Sequence, residues 1–176
     1  MTLTKSELLE GLRKGGEQAV SRLRAMPADS FEQGRYESGW NGRQILAHIA
    51  SIEWSYPRLM DVAREAQSPK SKAESPNKSV DSIPTRAATG GINDYNERQV
   101  EKRAAASVDE LIAEFETNRA TMIAAVESAD ESLFSTAIRS AGGITGPLAD
   151  VINAVAVLHV GGHVNDIAGP PPSASA

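Results

Sequence analysis

Apolar side chains recur at spacings of three and four in four separate stretches of this chain, and proline, glycine or a polar turn closes each stretch. Such spacing lines one face of a helix with apolar groups, and that face must be buried against another element. The first stretch runs from Lys5 to about Met26 on Leu8, Leu9, Leu12, Val20 and Leu23, and Pro27 stops it. A second opens after Trp40, where Asn41 is suited to cap a helix by accepting from an otherwise orphaned backbone N–H. Ile45, Ile49, Ile52 and Leu59 carry it to about Ala66, with a kink or an early end expected at Pro57. Ser107 and Glu110 form a capping box that starts a third helix, running to about Ser128 on Leu111, Ile112, Phe115, Met122, Ile123 and Val126. A turn from Ala141 to Gly146 precedes the fourth, which opens at Pro147, a residue favoured at the first helical position, and ends near Ala168.

The text between these stretches is less regular. Residues 28–39 are polar and turn-rich, and Asn93 to Arg103 reads as a short helix. Ser68 to Ile92 is rich in Ser, Pro, Lys and Asn and reads as a long loop: a lid, an oligomer arm or a surface excursion. Aromatic residues are only 5% of the chain, which favours helix over sheet. The expected architecture is therefore all-α, a four-helix bundle formed by residues 1–169, followed by a flexible tail at 170–176.

Composition narrows the function. A net charge of −5, with 18 basic residues scattered among 23 acidic ones, argues against nucleic acid as a partner. The longest apolar stretch, in the last helix, is broken by Asp150, Asn153 and His159, so no membrane span is expected. The N-terminal text lacks the pattern of a secretory signal, which points to the cytoplasm. With no cysteine, the chain offers no disulfide, thiolate ligand or thiol nucleophile of its own.

The three histidines are the strongest candidates for chemistry. His159 and His163 are four residues apart, so on a helix their rings project from one face a turn apart. That face continues the line of Ile152 and Val155, expected to point inward, and His48 lies between Ile45 and Ile52 on the apolar side of its own helix. An imidazole in a core costs desolvation unless its nitrogens find partners, and a divalent ion satisfies one nitrogen of each ring at once. Three neutral ligands leave a coordination position for water or substrate. From spacing alone, individually hydrogen-bonded core histidines and exposed histidines without a task remain open alternatives.

Three segments carry a resemblance. Trp40-Asn41-Gly42-Arg43-Gln44-Ile45-Leu46-Ala47-His48-Ile49 resembles the text around the first metal histidine of the DinB-like family. Tyr95-Asn96-Glu97-Arg98-Gln99-Val100 with the following Ser-x-x-Glu start is similar to the branch that includes the N-terminal domain of mycothiol-dependent maleylpyruvate isomerase. His159-Val160-Gly161-Gly162-His163 resembles the family's closing His-x-x-x-His. The resemblance implies a bundle with crossed connectivity, often dimeric. It also implies zinc, nickel or another divalent ion on His48, His159 and His163. Relatives include isomerases and transferases that use mycothiol, bacillithiol or glutathione. The isomerase relatives carry a second domain that contributes to their active site.

The expectation that follows is a metal-dependent thiol S-transferase or isomerase acting on a small-molecule substrate, with a low-molecular-weight thiol as cofactor. Alternatives are a metal-dependent hydrolase, with Glu53 or Asp166 as general base or second-sphere group, and a non-enzymatic metal- or ligand-holding stress protein; Glu53 and Asp166 read better as solvated helix charges. Trp40 is expected as a packing anchor or as the floor of the site, and Asn96 as a substrate contact or a capping or solvated group. Arg43, Arg98 and Arg119 are candidates for an anionic substrate but read better as surface charge. Trp54 and Tyr56 read as packing or dimer contacts.

Overall fold

The computed structural model describes residues 2–34, 36–37, 39–68 and 91–170. Its helices are α1 (Lys5–Arg24), α2 (Gly42–Glu53), α3 (Arg58–Gln67), α4 (Gly91–Lys102), α5 (Val108–Ser128), α6 (Leu148–Ile152) and α7 (His159–Ala168). Asn153–Leu158, between α6 and α7, is a π-helical segment, so the fourth predicted helix is one rod whose middle is wound more loosely. Short 3-10 turns at Ala28–Glu32 and Glu131–Ser135 fill the joints. The long-loop expectation falls mostly on residues outside those described; its far end, Ile92, already belongs to α4. The terminal tail lies outside them too, apart from Pro170.

Local chemistry accounts for the helix starts. Thr4 with Glu7, Asn41 with Gln44 and Ser107 with Glu110 each form a reciprocal capping box, so α1, α2 and α5 begin where two backbone N–H groups are satisfied by side chains. Pro57 ends the second predicted helix early: α2 stops at Glu53, a tight turn follows, and α3 leaves from Pro57. Pro147 is not the first helical residue. It closes a two-stranded antiparallel hairpin, β1 (Ala137–Arg139) against β2 (Thr145–Pro147), and caps α6 from outside. The predicted Ala141–Gly146 turn is largely the tip of this hairpin, whose inward residue Ile138 is fully buried.

The bundle is crossed. α1 packs on α5 and on the last rod, and α2 packs on the same two, which sets the consecutive helices α1 and α2 on a diagonal. Paired side chains give the directions. Arg24 meets Glu116 while Arg13 meets Glu127, so α1 and α5 run antiparallel. Gly11 lies beside Asn153 and Arg22 binds Asn165, so α1 and the last rod run parallel. α4 packs outside α2, and this second cover explains why every residue of α2 from Ile45 to Glu53 is buried. Two apolar clusters fill the interior, one around Leu8, Met60, Met122 and Ile152, the other around Phe31, Ile49, Phe115 and Val164.

Asn41 ties the start of α2 to the preceding 3-10 turn: its Oδ1 accepts from Gln44 N–H at 2.9 Å and its Nδ2 donates to Glu32 at 3.0 Å. Asn41→Ala is expected to cost about 0.5–2 kcal/mol of unfolding free energy in urea titrations, the range for losing such a cap.

Candidate metal centre

His48 sits in the middle of α2, only 4% exposed because α4, α5 and α7 cover that helix from three sides. His159 opens α7, and His163 stands one turn further on. The three rings meet. Centroid separations are 5.8 Å for His48–His159, 5.2 Å for His48–His163 and 4.5 Å for His159–His163, all near edge-to-face. One nitrogen from each ring lies within 4.8 Å of the others, close enough for one ion to reach all three through small side-chain rotations. His48 forms the buried base of the cluster, His163 is partly buried and His159 faces solvent, so the cluster opens outward along α7. That last point corrects the expectation that the whole histidine face points inward, and Val155 is likewise only partly buried.

The surroundings separate the ways of reading these rings. Among the described residues His48 Nδ1 is buried with no hydrogen-bond partner, so within them His48 is not a core histidine satisfied by its own bonds. Burial, with the nearby His163 and His159 as lesser causes, pushes its pKa down to about 3. His159 is also lowered, by burial first and by His163 second, against a smaller pull from Asp166. Depressed values keep imidazoles neutral, the form that binds metals. His163 Nδ1 lies 3.2 Å from Asp166 Oδ2, a contact that orients the ring and leaves Nε2 available, as carboxylates behind ligand histidines commonly do.

Trp40 lies against His48 with centroids 5.2 Å apart, and its indole N–H donates to Glu97 of α4 at 3.4 Å. It both anchors α4 and walls the buried ring. Tyr36, which the sequence reading passed over, reaches the same end of the bundle from the loop before α2. Burial raises its phenol, and the charge of Asp166 adds to the effect. No local pattern marks Tyr36, since its place depends on how that loop folds back. Asn96 shares the inward face of α4 with Val100, and its Oδ1 is the other buried side-chain atom without a partner among the described residues. Arg43 at the start of α2 binds Ala104 O just beyond α4, which ties the two helices together near that end.

Other candidates lie elsewhere. Glu53 is fully buried and Arg119 is 4% exposed, so neither is a solvated helix charge. They form a two-pronged ion pair at 2.6 and 2.8 Å that occupies both carboxylate oxygens of Glu53. Burial raises the Glu53 carboxyl while Arg119 pulls the other way. Arg43 is tied to Glu32 and Ala104 O. Trp54 is half exposed under the guanidinium of Arg58, whereas Tyr56 is buried and donates to Val155 O at 2.7 Å.

A helical bundle of crossed connectivity with three converging imidazoles defines a class, and comparison with known proteins agrees. The DinB superfamily pattern matches residues 11–167, and the chain belongs to that superfamily. No curated protein sequence matches it. Among solved structures it is similar to mycothiol-dependent maleylpyruvate isomerase, with a TM-score of 0.67, 19% identity, and coverage of 95% of this chain and 63% of that one. A histidine-to-alanine mutant of such an isomerase gives a TM-score of 0.68 at the same identity and coverage. The likeness is one of fold, and this chain spans less than two thirds of those proteins.

With its pKa held at about 3 instead of the ordinary 6.5, His48 takes up fewer protons folded than unfolded between those values. Its contribution to stability is therefore complete above about pH 6.5 and is lost as pH falls toward 3. In metal-stripped protein, His48→Gln is expected to flatten the decline of the urea midpoint across that interval relative to the unaltered chain.

Proposed function

We propose that this protein binds a divalent metal ion, zinc or nickel, through His48, His159 and His163, and uses it in thiol-dependent transfer or isomerisation of a small electrophilic substrate. The observation that carries the reading is the convergence of three imidazoles around a buried, unpartnered His48. Three neutral nitrogen donors suit zinc and nickel. When bound, such an ion supplies a Lewis-acid position that lowers the pKa of a coordinating thiol from its ordinary ~8.5. The chain itself supplies no thiol, so the thiol in this reading is a low-molecular-weight cofactor of the mycothiol or bacillithiol kind. The structural likeness to a mycothiol-dependent isomerase supports that choice.

The protein's own groups then have definable tasks. His48 anchors the site from the buried base, while Asp166 holds the His163 ring in one orientation. Trp40 shields His48 from water on one side. Exposure of His159 leaves an approach for cofactor and substrate along α7. The hydrolase alternative is weaker, because both oxygens of Glu53 are engaged by Arg119 and Asp166 is engaged by His163. The acidic charge fits a small-molecule partner better than nucleic acid. Among the described residues no helix is long and apolar enough to cross a membrane, and we place the activity in the cytoplasm, with a homodimer as the working assembly.

Elemental analysis of protein purified without a histidine tag is expected to find about one zinc or nickel per chain. His159→Ala is expected to abolish that metal while leaving the helical circular dichroism largely intact, because this ring is exposed. Full metal occupancy in the variant would remove the triad reading. Turnover of an electrophile by metal-loaded protein should require an added low-molecular-weight thiol; equal turnover without thiol would favour hydrolysis.

A further inference from the structure

The last rod has an apolar stripe that a regular helix cannot keep straight. Among its buried residues, which also include Ala149, Val151 and Ile167, Leu148, Ile152, Ala156, Val160 and Val164 fall every four positions. At ~100° per residue each step of four overshoots a turn by ~40°, so four steps would carry the stripe ~160° around the axis. Val164 would then lie on the side of the rod nearly opposite Leu148. The π segment absorbs much of that drift. His159 N–H donates to Ala154 O, five residues back, and taking up one extra residue in a turn sets the following helix back by ~100°. Val160 and Val164 thereby stay on the core side, and His159 and His163, each one position before them, come round to His48.

A π turn needs donors from outside. With the His159 N–H directed to Ala154 O, Val155 O accepts instead from the Tyr56 hydroxyl at 2.7 Å. Ala156 O accepts from Arg119 Nη2 at 2.5 Å. Arg119 is held in turn by Glu53 and by Leu12 O, the latter at 3.0 Å. α1 is bare where this cluster crosses it: a Cβ on Gly16 would meet Arg119 Cγ at 3.1 Å, and one on Gly15 would touch Val157 at 3.5 Å. Four separate elements thus meet at the one turn that precedes the histidines.

We propose that Tyr56 and Arg119, with Glu53 behind Arg119, are positioning residues for the histidine cluster: they hold the π turn open and so set the rotation at which His159 and His163 face His48. The role rests on the reading of that cluster as a metal site. The residues reach the ligands through the helix backbone, and their effect is on ligand geometry.

Two variants of the full chain test this. Tyr56→Phe removes one donor and keeps the ring. Glu53→Leu/Arg119→Met replaces the ion pair by apolar groups, a change that buried pairs often tolerate without unfolding, and strips the donor from Ala156 O. Each is titrated with Co(II) alone, recording affinity and the visible d–d spectrum, alongside amide exchange over residues 157–162. Co(II) affinity is expected to fall by about tenfold or more, with a shifted spectrum and faster exchange in the π turn, in every variant that remains folded. Unchanged affinity and spectrum in the folded variants would overturn the positioning role, even if stability had dropped. Failure of the unaltered protein to bind Co(II) would instead remove the metal reading itself, and this role with it.

Discussion

The Arg119 guanidinium, buried where α1, α2, α5 and the last rod come together, is the contact on which the arrangement of this bundle turns. It reaches Glu53 of α2, Leu12 O of α1 and Ala156 O of the π segment from its own position on α5. A buried guanidinium is tolerable only when its donors are used and its charge is balanced, and removing one partner of such a pair typically costs about 3–5 kcal/mol. All four main helices must therefore be in register at once for this group to be satisfied. Apolar packing alone would allow them to slide or rotate by small amounts at little cost. The Tyr56 hydroxyl adds a second constraint of the same kind, and its burial and the Glu53 charge keep it protonated and able to donate.

The histidine cluster is built in the opposite way, with a need left unmet. His48 Nδ1 is shut away from water without a partner, and the three rings approach one another edge to face without any hydrogen bond between them. Burial pushes the pKa of His48 down to about 3 and also lowers that of His159. A fully satisfied polar network lies a few residues along the same helices from this unsatisfied one. The contrast is what a ligand site requires: rigid support next to groups whose bonding capacity is kept for something else.

Much of this could be read from the amino-acid text. The cap at Asn41, the capping box at Ser107, the break at Pro57 and the pairing of His159 with His163 are local features, decided by residues within one turn of each other, and the box at Thr4, not singled out in the sequence, is of the same kind. Periodicity also put His48 on the apolar side of its helix, and resemblance to the DinB-like family strengthened its grouping with the other two and added the crossed order of the helices. The π turn left a trace as well, in the four-residue spacing of Leu148, Ile152, Ala156, Val160 and Val164 among the rod's apolar residues, but that pattern acquires meaning only when the stripe is known to stay buried. The short hairpin around Ile138 was missed because three-residue strands carry no periodicity. Arg119 and Glu53 looked like surface charges because each is the polar member of an amphipathic stretch, and their sequence positions are 66 apart.

The sequence by itself determined where most of the helices lie, which faces are apolar, and which three side chains have the chemistry of metal ligands, because caps, periodicity and ligand type act over a few residues. Tertiary structure alone decided that α4 would bury His48, that Arg119 would be shared among four helices, and that the last rod would be unwound by one residue so that its histidines meet the first. Those outcomes depend on the simultaneous satisfaction of buried donors and acceptors brought together from distant segments, and no local pattern records them.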